Sequence, residues 1–360
     1  MVRLRASLII LLAGCSGAPT VKVAEAREVG LTHPSEKILG RDGGGGLRLW
    51  DRMVFFFGDT FVSTADRDGS TFHSNSFSFT ADTNAADGID GLEDRLDDVG
   101  SPQPLIMPTA DEAAYNAAHR GDTCAEQPCG ARWATWAGDA VFDPENGRAL
   151  IAYELIDAKP GAWNFEGRGR GLVSWNAFDS LAERPEPKGC PESPTVLFCE
   201  GEPWGTALVV NEGFLYAFGC QKDACKVARA PLSSVFDRAT WTAWDGSTWG
   251  SLQNATSLFS SNSLNRIFYN SYARAWMAVT SAPLSNDVVY RTAPSLTGPW
   301  SEQAKLFTAD HKAMDDGWTY DAMVQPDYSE EDGRVIYVTY SRPTGLFRSE
   351  HAVERIVFQP

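Results

Sequence analysis

Two aspartates near the N-terminus lie in a pattern that could support acid/base chemistry. Asp42 stands in a glycine-rich segment, and Asp59 follows an apolar run. A hairpin that turns at Asp51 and Arg52 would pair Asp59 with Gly44, so both carboxyl groups would emerge at its open end. Diagonal neighbours in an antiparallel pair are about 7–8 Å apart, which suits two acids that flank a bond the size of a glycosidic linkage. One group could then act as general acid and the other as general base.

The same residues also have a purely structural interpretation. Aspartate and glycine are common in turns, and Gly58-Asp59-Thr60 after a strand is compatible with an Asx-turn. The glycines would equally let a ligand approach the backbone and the acids. The local pattern therefore leaves both catalysis and turn chemistry open.

A repeated strand-turn-strand unit accounts for much of the chain. Its five copies lie at residues 47–58, 140–153, 207–218, 266–279 and 322–340. The later copies recur at intervals of about 60 to 65 residues. Radial repetition of small sheets leaves few exposed strand edges, so we predict an all-β fold, a five-bladed β-propeller, as one domain over residues 30–360. An insertion at residues 82–132 is predicted to form loops, with a solvated charged run at 94–98.

Composition and charge exclude several classes of protein. The 360 residues are 43% hydrophobic and 22% charged, so the chain can bury a large core and is neither collagen-like nor disordered. The 32 glycines, 20 prolines and 11% aromatic residues favour strands and turns over long helices. The net charge of -16 would repel a phosphate backbone, which argues against nucleic-acid binding.

The N-terminus has the features of an export signal. Two arginines precede a short apolar run, and Cys15 follows in the sequence Leu-Ala-Gly-Cys. This sequence resembles a bacterial lipobox, which implies a signal peptide over residues 1–14, a lipid on Cys15 and a tether over residues 15–29. The alternative is an ordinary secretory signal with an unrelated cysteine. We expect an exported lipoprotein that contacts a membrane only through its anchor, and Ser16 after the cysteine favours the outer membrane.

The remaining cysteines form three close pairs. They are Cys124/Cys129, Cys190/Cys199 and Cys220/Cys225. An even number in an exported chain indicates disulfides, and the three local pairings are the simplest of the fifteen connectivities that six cysteines allow. Zinc binding is the alternative, but neither a CxxC sequence nor a nearby histidine supports it. We expect no metal, no other cofactor and a monomer.

Several motifs carry a family resemblance. They are Gly40-Arg41-Asp42-Gly43-Gly44, Phe57-Gly58-Asp59-Thr60-Phe61, Ser74-Asn75-Ser76, Trp204-Gly205-Thr206-Ala207, Ala228-Arg229-Ala230-Pro231 and Tyr320-Asp321-Ala322-Met323. Over roughly residues 30–358 the chain resembles the family catalogued as domain of unknown function 4185. The characterised members of that family are endo-D-arabinanases, grouped as glycoside hydrolase family 183.

The resemblance implies a five-bladed propeller with a glycan cleft at one mouth of the central channel. Asp42 and Asp59 match the acidic pair of the family by position, so they are expected to be the catalytic acid and base, in an order left open. The implied reaction is cleavage of internal bonds in an arabinan-like cell-wall polysaccharide. We expect inversion at the sugar carbon, for which the two carboxyl groups would lie about 6.5–9.5 Å apart.

Further residues are candidate substrate contacts. They are Arg41, Asn75, Asp139, Asn270, Tyr320 and Asp321. Asp139 could bind substrate or shift the pKa of a neighbour, or it could simply cap its strand. Asn75, Asn270, Tyr320 and Asp321 are expected at equivalent ends of inner strands, where they would contact sugar hydroxyls or lock the blades together.

Other side chains offer alternative chemistry. Glu202 could be a general acid, because more distant propeller glycosidases place a glutamate on the third blade. His73 is a candidate base, although a lone histidine is more often a structural hydrogen-bonding group. Trp133, Trp136 and Trp318 could stack on sugar rings.

Two non-catalytic functions also fit the sequence. One is a glycan-binding lipoprotein in which the same acids only hydrogen-bond to sugar. The other is a scaffold for envelope proteins, which a broad apolar surface without a polar cleft would favour. The presence of both Asp42 and Asp59 favours the enzyme.

Overall fold

The computed structural model describes residues 18, 20–121, 123–161, 163–187, 189–191, 193–261, 263–311, 318–345 and 348–360. The predicted signal peptide and the predicted lipidation site Cys15 lie outside these residues. Among the described residues, no helix has the length and apolar character needed to cross a membrane.

The described chain consists mainly of short antiparallel strands. Its first half contains β1 (Val23–Thr32), β2 (Ile38–Leu49), β3 (Arg52–Val62), β4 (Phe72–His73), β5 (Ser76–Thr80), β6 (Glu93–Asp94), α1 (Ala110–Ala118), β7 (Arg132–Asp143), β8 (Arg148–Ala158), β9 (Phe165–Trp175) and β10 (Phe198–Cys199). Its second half contains β11 (Ala207–Asn211), β12 (Phe214–Gln221), β13 (Ala224–Pro231), β14 (Thr242–Trp244), β15 (Trp249–Gly250), β16 (Arg266–Asn270), β17 (Ala275–Ser281), β18 (Asp287–Ala293), β19 (Ala304–Thr308), β20 (Tyr320–Val324), β21 (Val335–Gly345) and β22 (Arg348–Phe358). Short 3-10 turns lie at Leu232–Ser234, Arg238–Thr240, Leu252–Asn254, Pro326–Tyr328 and Glu331–Gly333.

The strands form five sheets, which are the blades of a propeller. From the innermost strand outward, blade 1 is β2-β3-β5-β6 with β4 beside β3, and blade 2 is β7-β8-β9-β10. Blade 3 is β11 to β15, blade 4 is β16 to β19, and blade 5 is β20-β21-β22-β1. The five sequence repeats coincide with the two innermost strands of each blade, so the predicted five-bladed β-propeller is confirmed.

Both ends of the chain contribute to blade 5. The N-terminal strand β1 pairs antiparallel with β22 and forms the outer edge of the blade. Residues 23–29, which the sequence analysis assigns to the tether, therefore belong to the propeller. The expected domain boundary at residue 30 is too late, because the backbone groups of this segment are already paired with β22.

The hydrophobic core lies between the blades. In β3, Val54 and Phe56 pack toward blade 2, whereas Phe55 and Phe57 pack toward blade 5. All four side chains are buried. Since both faces of the sheet are covered, this strand is a continuous apolar run rather than an alternating one. Similar clusters fill the spaces between the other neighbouring blades.

The β2–β3 hairpin turns earlier than predicted. Leu49 pairs with Arg52, so the turn begins at Trp50. Trp50 has a φ of 53°, the left-handed conformation that tight two-residue turns require. The predicted pairing of Asp59 with Gly44 is therefore wrong, because the register of the whole hairpin follows from its turn.

The insertion of blade 1 contains a helix that the sequence analysis does not predict. The Thr109 side chain accepts a hydrogen bond from the Glu112 backbone N–H, and the Glu112 side chain accepts one from the Thr109 backbone N–H. This reciprocal capping box satisfies two amide groups at the start of α1. The segment is therefore not composed of loops alone.

The charged run at 94–98 is only partly solvated. The Asp94 side chain is 2% exposed and lies 3.5 Å from Nη1 of the Arg41 side chain. It also accepts a hydrogen bond of 2.5 Å from the Ser78 hydroxyl. A buried carboxylate needs such partners, so Asp94 is a structural residue of blade 1 and the prediction of solvent exposure is wrong for it.

The described residues contain three local disulfides. They join Cys124 to Cys129, Cys190 to Cys199 and Cys220 to Cys225. Cys220 and Cys225 are also direct partners in the β12–β13 ladder, so the strand pairing brings their side chains together. The predicted pairs are confirmed, and three disulfides are typical of proteins that fold outside the cytoplasm.

Candidate active site

The innermost strands of all five blades begin at the same end of the central channel, which we call the mouth. A cavity of about 220 Å³ occupies this end of the channel. Each blade contributes to its wall, through Gly43, Trp136, Thr206, Leu264 and Asp321. Residues near the starts of inner strands therefore meet there, although they are far apart in sequence.

A β-bulge places the predicted catalytic acids near each other. Between regular pairs of the β2–β3 ladder, Asp42 alone stands opposite both Gly58 and Asp59. Strand β3 therefore has one residue more than β2 at this point, and such an extra residue changes the direction of the side chains around it. A Cβ at Gly58 would lie 3.9 Å from the Asp42 Cβ, so the bulge brings the two strands close together at the acids.

Asp59 is largely buried at the mouth. The indole N–H of Trp136 donates a hydrogen bond of 2.7 Å to Asp59 Oδ1. Burial raises the pKa of Asp59 to about 6, although the Trp136 hydrogen bond and the Arg132 charge oppose this shift. The nearby Asp42 charge raises the pKa further. Asp59 therefore carries a proton over part of the range in which an ordinary aspartate is ionised.

Asp42 has a different environment from Asp59. The hydroxyl of Tyr320 donates a hydrogen bond to Asp42 Oδ1. Burial raises the pKa of Asp42, and the Tyr320 hydrogen bond opposes that effect because it favours the ionised form. The two acids of blade 1 thus accept hydrogen bonds from different blades. The donor to Asp42 is Tyr320 of blade 5, and the donor to Asp59 is Trp136 of blade 2.

Asp321 is a third acid at the mouth. Burial raises the pKa of Asp321 to about 7, and the Asp42 charge adds to the shift. Its φ of 52° lies in the left-handed region, which non-glycine residues seldom adopt. Strained residues of this kind are concentrated at functional sites.

Asp139 lies deeper in the channel, where it links the blades rather than facing the mouth alone. Its carboxylate lies 3.5 Å from Nε of Arg266 and accepts a hydrogen bond of 2.9 Å from the Leu208 N–H. The Arg266 guanidinium also donates to the carbonyls of Gly46 and Val324, at 2.7 and 3.3 Å. These five residues come from five different blades, so the ion pair and its hydrogen bonds join all five blades across the channel.

The environment of Asp139 favours a structural role. Burial raises its pKa, whereas the Arg266 charge and the N–H groups of Leu208 and Ala140 lower it. Both carboxylate oxygens already accept backbone hydrogen bonds. The interpretation of Asp139 as a residue that fixes its strand therefore fits the geometry better than substrate contact does.

Asn75 is also occupied by the fold. Its amide NH₂ donates to the Ile106 carbonyl and to the Thr135 hydroxyl, each at 3.0 Å. Its oxygen accepts from the N–H groups of Leu105 and Ile106, each at 2.9 Å. Asn75 is 1% exposed. It locks the insertion to blades 1 and 2, which is one of the two roles that the sequence leaves open.

Arg41 points into the interior beside Asp42. Its guanidinium lies 3.4 Å from the centre of the Phe57 ring and donates to the Ser78 hydroxyl at 2.7 Å. Burial lowers the pKa of Arg41 to about 10, although the nearby Asp94 charge opposes this. The structure does not place Arg41 with the acids of the mouth, so it stabilises blade 1 instead.

Asn270 lies at the wrong end of its strand for a mouth residue. It is the last residue of β16, next to the turn into β17, whereas the mouth is where β16 begins. Its side chain donates to the Gly333 carbonyl at 2.8 Å and accepts from the Ala273 N–H at 2.9 Å. The expectation that it shares the position of Tyr320 is wrong, because the two residues stand at opposite ends of inner strands.

Glu202 and His73 have structural partners. The Glu202 carboxylate accepts from the Cys199 N–H and from Arg238, both at 2.6 Å. His73 is buried 3.9 Å from the Asp66 carboxylate, and burial lowers its pKa. Neither lines the mouth cavity, whereas Trp136, the hydrogen-bond partner of Asp59, and Gly43, the chain neighbour of Asp42, do line it.

Three charged residues at or near the mouth are not predicted from the sequence. Glu154 on β8 and Arg170 on β9 form an ion pair of 2.7 Å, and both line the cavity. Glu154 interrupts the apolar run Ala149–Ile156 within β8, which is a detectable signal. Arg132 is a third case, since its charge acts on Asp59.

Comparison with known sequences gives a partial match. A profile of a domain of unknown function, DUF4185, matches residues 173–345. This range runs from β9 to the end of β21 and does not include Asp42 or Asp59. A search of curated proteins found no match.

Several solved structures share the fold at low sequence identity. A Bacteroides ovatus protein proposed to be a hydrolase has a TM-score of 0.60 and 15% identity, with 91% of this chain and 87% of that chain covered. An exo-β-1,3-galactanase from Phanerochaete chrysosporium has a TM-score of 0.53 and 12% identity, with 91% and 64% covered. The catalytic domain of an α-L-arabinofuranosidase of family 62 from Coprinopsis cinerea has a TM-score of 0.50 and 9% identity, with 92% and 95% covered. These similarities establish the propeller fold.

Proposed function

We propose that the protein is a glycoside hydrolase that cleaves internal bonds of an arabinan-like cell-wall polysaccharide. The observation that carries the proposal is the pair of carboxyl groups Asp42 and Asp59, which stand opposite each other at one β-bulge and accept hydrogen bonds from Tyr320 and Trp136. Gly43 and Trp136 line the adjacent cavity. The first-blade motifs around these residues resemble those of endo-D-arabinanases. Proteins that share the fold include enzymes described as acting on galactan and arabinofuranosides.

The environments of the two acids favour distinct roles. Asp59, with a pKa raised to about 6, is the proposed general acid, because it holds a proton that it can give to the leaving sugar oxygen. Asp42, with a hydrogen bond from Tyr320 that favours its ionised form, is the proposed general base. Two carboxyl groups in different environments are the usual arrangement for this division of work.

The proposed reaction proceeds with inversion. Asp42 takes a proton from a water molecule as the water oxygen bonds to the anomeric carbon. The bond from that carbon to the bridging oxygen breaks, and Asp59 delivers its proton to the oxygen. The products are two shorter chains, one of which has a new reducing end.

Other groups at the mouth would bind and orient the chain. Glu154 and Arg170 offer charged hydrogen-bonding groups on the cavity wall. Asp321, whose pKa is raised to about 7, can donate as well as accept a hydrogen bond near neutral pH. These groups suit sugar hydroxyls, which are both donors and acceptors.

The proposal includes export to the cell envelope. The three disulfides favour export, and Cys15 is proposed as the site of a lipid anchor that follows a signal peptide. We also propose that the propeller acts as a monomer. Labelling with a radioactive fatty acid, compared between the natural chain and Cys15→Ser, tests the anchor.

The substrate and the cleavage mode are tested together. The propeller without its leader is incubated with D-arabinan, L-arabinan and β-1,3-galactan, and the products are sized by chromatography. Release of intermediate oligosaccharides from D-arabinan supports internal cleavage, whereas accumulation of a monosaccharide alone contradicts it. Proton NMR of the first products then tests inversion, since a retained anomeric configuration would overturn that part of the proposal.

A further inference from the structure

A row of aromatic side chains extends from the acidic pair to the protein surface. The ring centres of Trp136 and Phe165 are 4.9 Å apart, and those of Phe165 and Trp163 are 6.5 Å apart. Trp163 lies 6.4 Å from Trp318. We call these four residues the aromatic platform.

Much of the platform is exposed to solvent. Trp163 is 78% exposed, Trp318 is 49% exposed and Phe165 is 41% exposed. Large aromatic side chains are normally mostly buried, so three neighbouring exposed ones mark an interaction surface. The core of the propeller does not explain their presence, because none of the three belongs to the buried core between the blades.

The backbone of Trp163 is strained. Its φ is 59°, in the left-handed region that bulky residues seldom adopt. Strain of this kind persists only when the surroundings impose it, and it is concentrated at functional sites. Trp50 has the same backbone conformation because it lies in a tight turn, so for Trp163 the 78% exposure of the side chain is the observation that points to a contact outside the protein.

The platform is continuous with the proposed catalytic group. Trp136, its innermost member, donates its indole N–H to Asp59. Trp163 follows β8 in blade 2, and Trp318 precedes β20 in blade 5. Blades 2 and 5 are the two neighbours of blade 1, so the contact between these tryptophans bridges the blade that carries Asp42 and Asp59.

The charges near the aromatic platform indicate which class of ligand it binds. Three acids, Asp42, Asp59 and Asp321, lie at the mouth, and the chain has a net charge of -16. Anionic polymers are disfavoured at such a site. Flat aromatic faces next to polar hydrogen-bonding groups suit the apolar faces of neutral sugar rings, whose edges carry hydroxyls.

We propose that the aromatic platform binds neutral sugar units of a glycan chain that extends from the mouth cavity to the surface, and so gives the site a preference for long chains. This inference rests on the proposed function only in that the ligand is a glycan. Trp163, Phe165 and Trp318 are binding residues and do not take part in proton transfer. Short oligosaccharides that occupy only the cavity do not reach Trp163 and Trp318.

Binding is measured without hydrolysis, in the Asp59→Asn background. D-arabinan is titrated into this variant and into the same variant with Trp163→Ala or Trp318→Ala, and heat is recorded by calorimetry. Each added substitution should weaken binding about tenfold or more, the loss expected for one stacking contact. Trp163→Phe should restore most of the affinity, because it keeps an aromatic face.

Tyr269→Ala is the matched control. Tyr269 is 50% exposed, but it lies near the end of β16 that is remote from the mouth. Its replacement should leave D-arabinan binding unchanged. An equal loss in Tyr269→Ala and Trp163→Ala would overturn the platform as a localised site.

The outcomes separate the two proposals. Full binding by Trp163→Ala and Trp318→Ala overturns the platform and leaves the proposed hydrolase intact. Weakened binding in these variants, together with no hydrolysis by the natural chain, supports the platform and overturns the hydrolase. Absence of D-arabinan binding in the Asp59→Asn background overturns the platform as a site for that glycan, and hydrolysis by the natural chain then decides the other proposal. Thermal melts of every variant confirm that each is folded.

Discussion

Replacing Asp59 with asparagine should stabilise the protein at neutral pH while it removes activity. The carboxyl group is largely buried, and it accepts a hydrogen bond of 2.7 Å at Oδ1 from the indole N–H of Trp136. Asparagine has nearly the same shape and keeps an oxygen that can accept this bond. The substitution therefore removes a buried charge without creating a cavity.

The size of the effect follows from the raised pKa. Folding raises the pKa of Asp59 from 3.8 to about 6. Below pH 3.8 the group is protonated in both the folded and the unfolded chain, so it carries no penalty. Between about pH 4 and 6 the unfolded chain ionises first, and stability falls. Above about pH 6 the penalty is constant at about 3 kcal/mol, since one pH unit corresponds to about 1.4 kcal/mol.

The asparagine of the variant does not titrate, so the difference in stability between the two proteins should depend on pH. We expect almost no difference at about pH 4, a rise between about pH 4 and 6, and a plateau of up to about 3 kcal/mol in favour of Asp59→Asn above about pH 6.5. Urea denaturation at half-unit intervals from about pH 4 to 8 measures this. Asp51→Asn, at the exposed turn of the same hairpin, is the control and should show a flat difference.

A constant difference across the pH range would refute the reasoning. It would mean that Asp59 is not desolvated in the folded state, and that its role as a general acid lacks a physical basis. A difference of the opposite sign would mean that the ionised carboxylate is stabilised in the fold, as in a salt bridge.

Three other perturbations test the remaining features of the site. Tyr320→Phe removes the hydrogen bond that favours ionised Asp42, so the pKa of Asp42 should rise and the acidic limb of the pH–rate profile should move to higher pH. Arg132→Gln removes a charge that lowers the pKa of Asp59, so the alkaline limb should also move to higher pH; an unshifted limb in the same assay would exclude Asp59 as its source. Arg266→Met leaves Asp139 buried without its counter-charge and should cost about 3–5 kcal/mol in urea denaturation, part of which Asp139→Asn in the same chain should recover.

The architecture could be predicted because its signals are local. The apolar run of β3 and the repeated turns after inner strands reveal the paired strands, and their recurrence reveals the number of blades. The disulfides are local too, since each joins cysteines a few residues apart. The register of the β2–β3 hairpin is harder to predict from the sequence, because it depends on a turn at Trp50 that contains no glycine.

The site could be predicted only in part because its contacts are long-range. Asp42 and Asp59 could be placed on one hairpin from the sequence, but the bulge that sets them opposite each other could not. The hydrogen bond between Tyr320 and Asp42 spans 278 positions. Asp139 can be placed on an inner strand from the sequence, yet its partner Arg266 is on another blade and gives no local signal.

The rate of reducing-end release from D-arabinan tests the central claim most directly. The natural chain, Asp42→Asn, Asp59→Asn and the control Asp51→Asn are compared at about pH 5, where Asp59 should be largely protonated. We predict measurable release by the natural chain and by Asp51→Asn, and a loss of about 10²–10⁴-fold in the other two variants. Release that is unchanged in Asp42→Asn and Asp59→Asn, or absent from the natural chain, would contradict the assignment of this pair as the catalytic acids of a D-arabinan hydrolase.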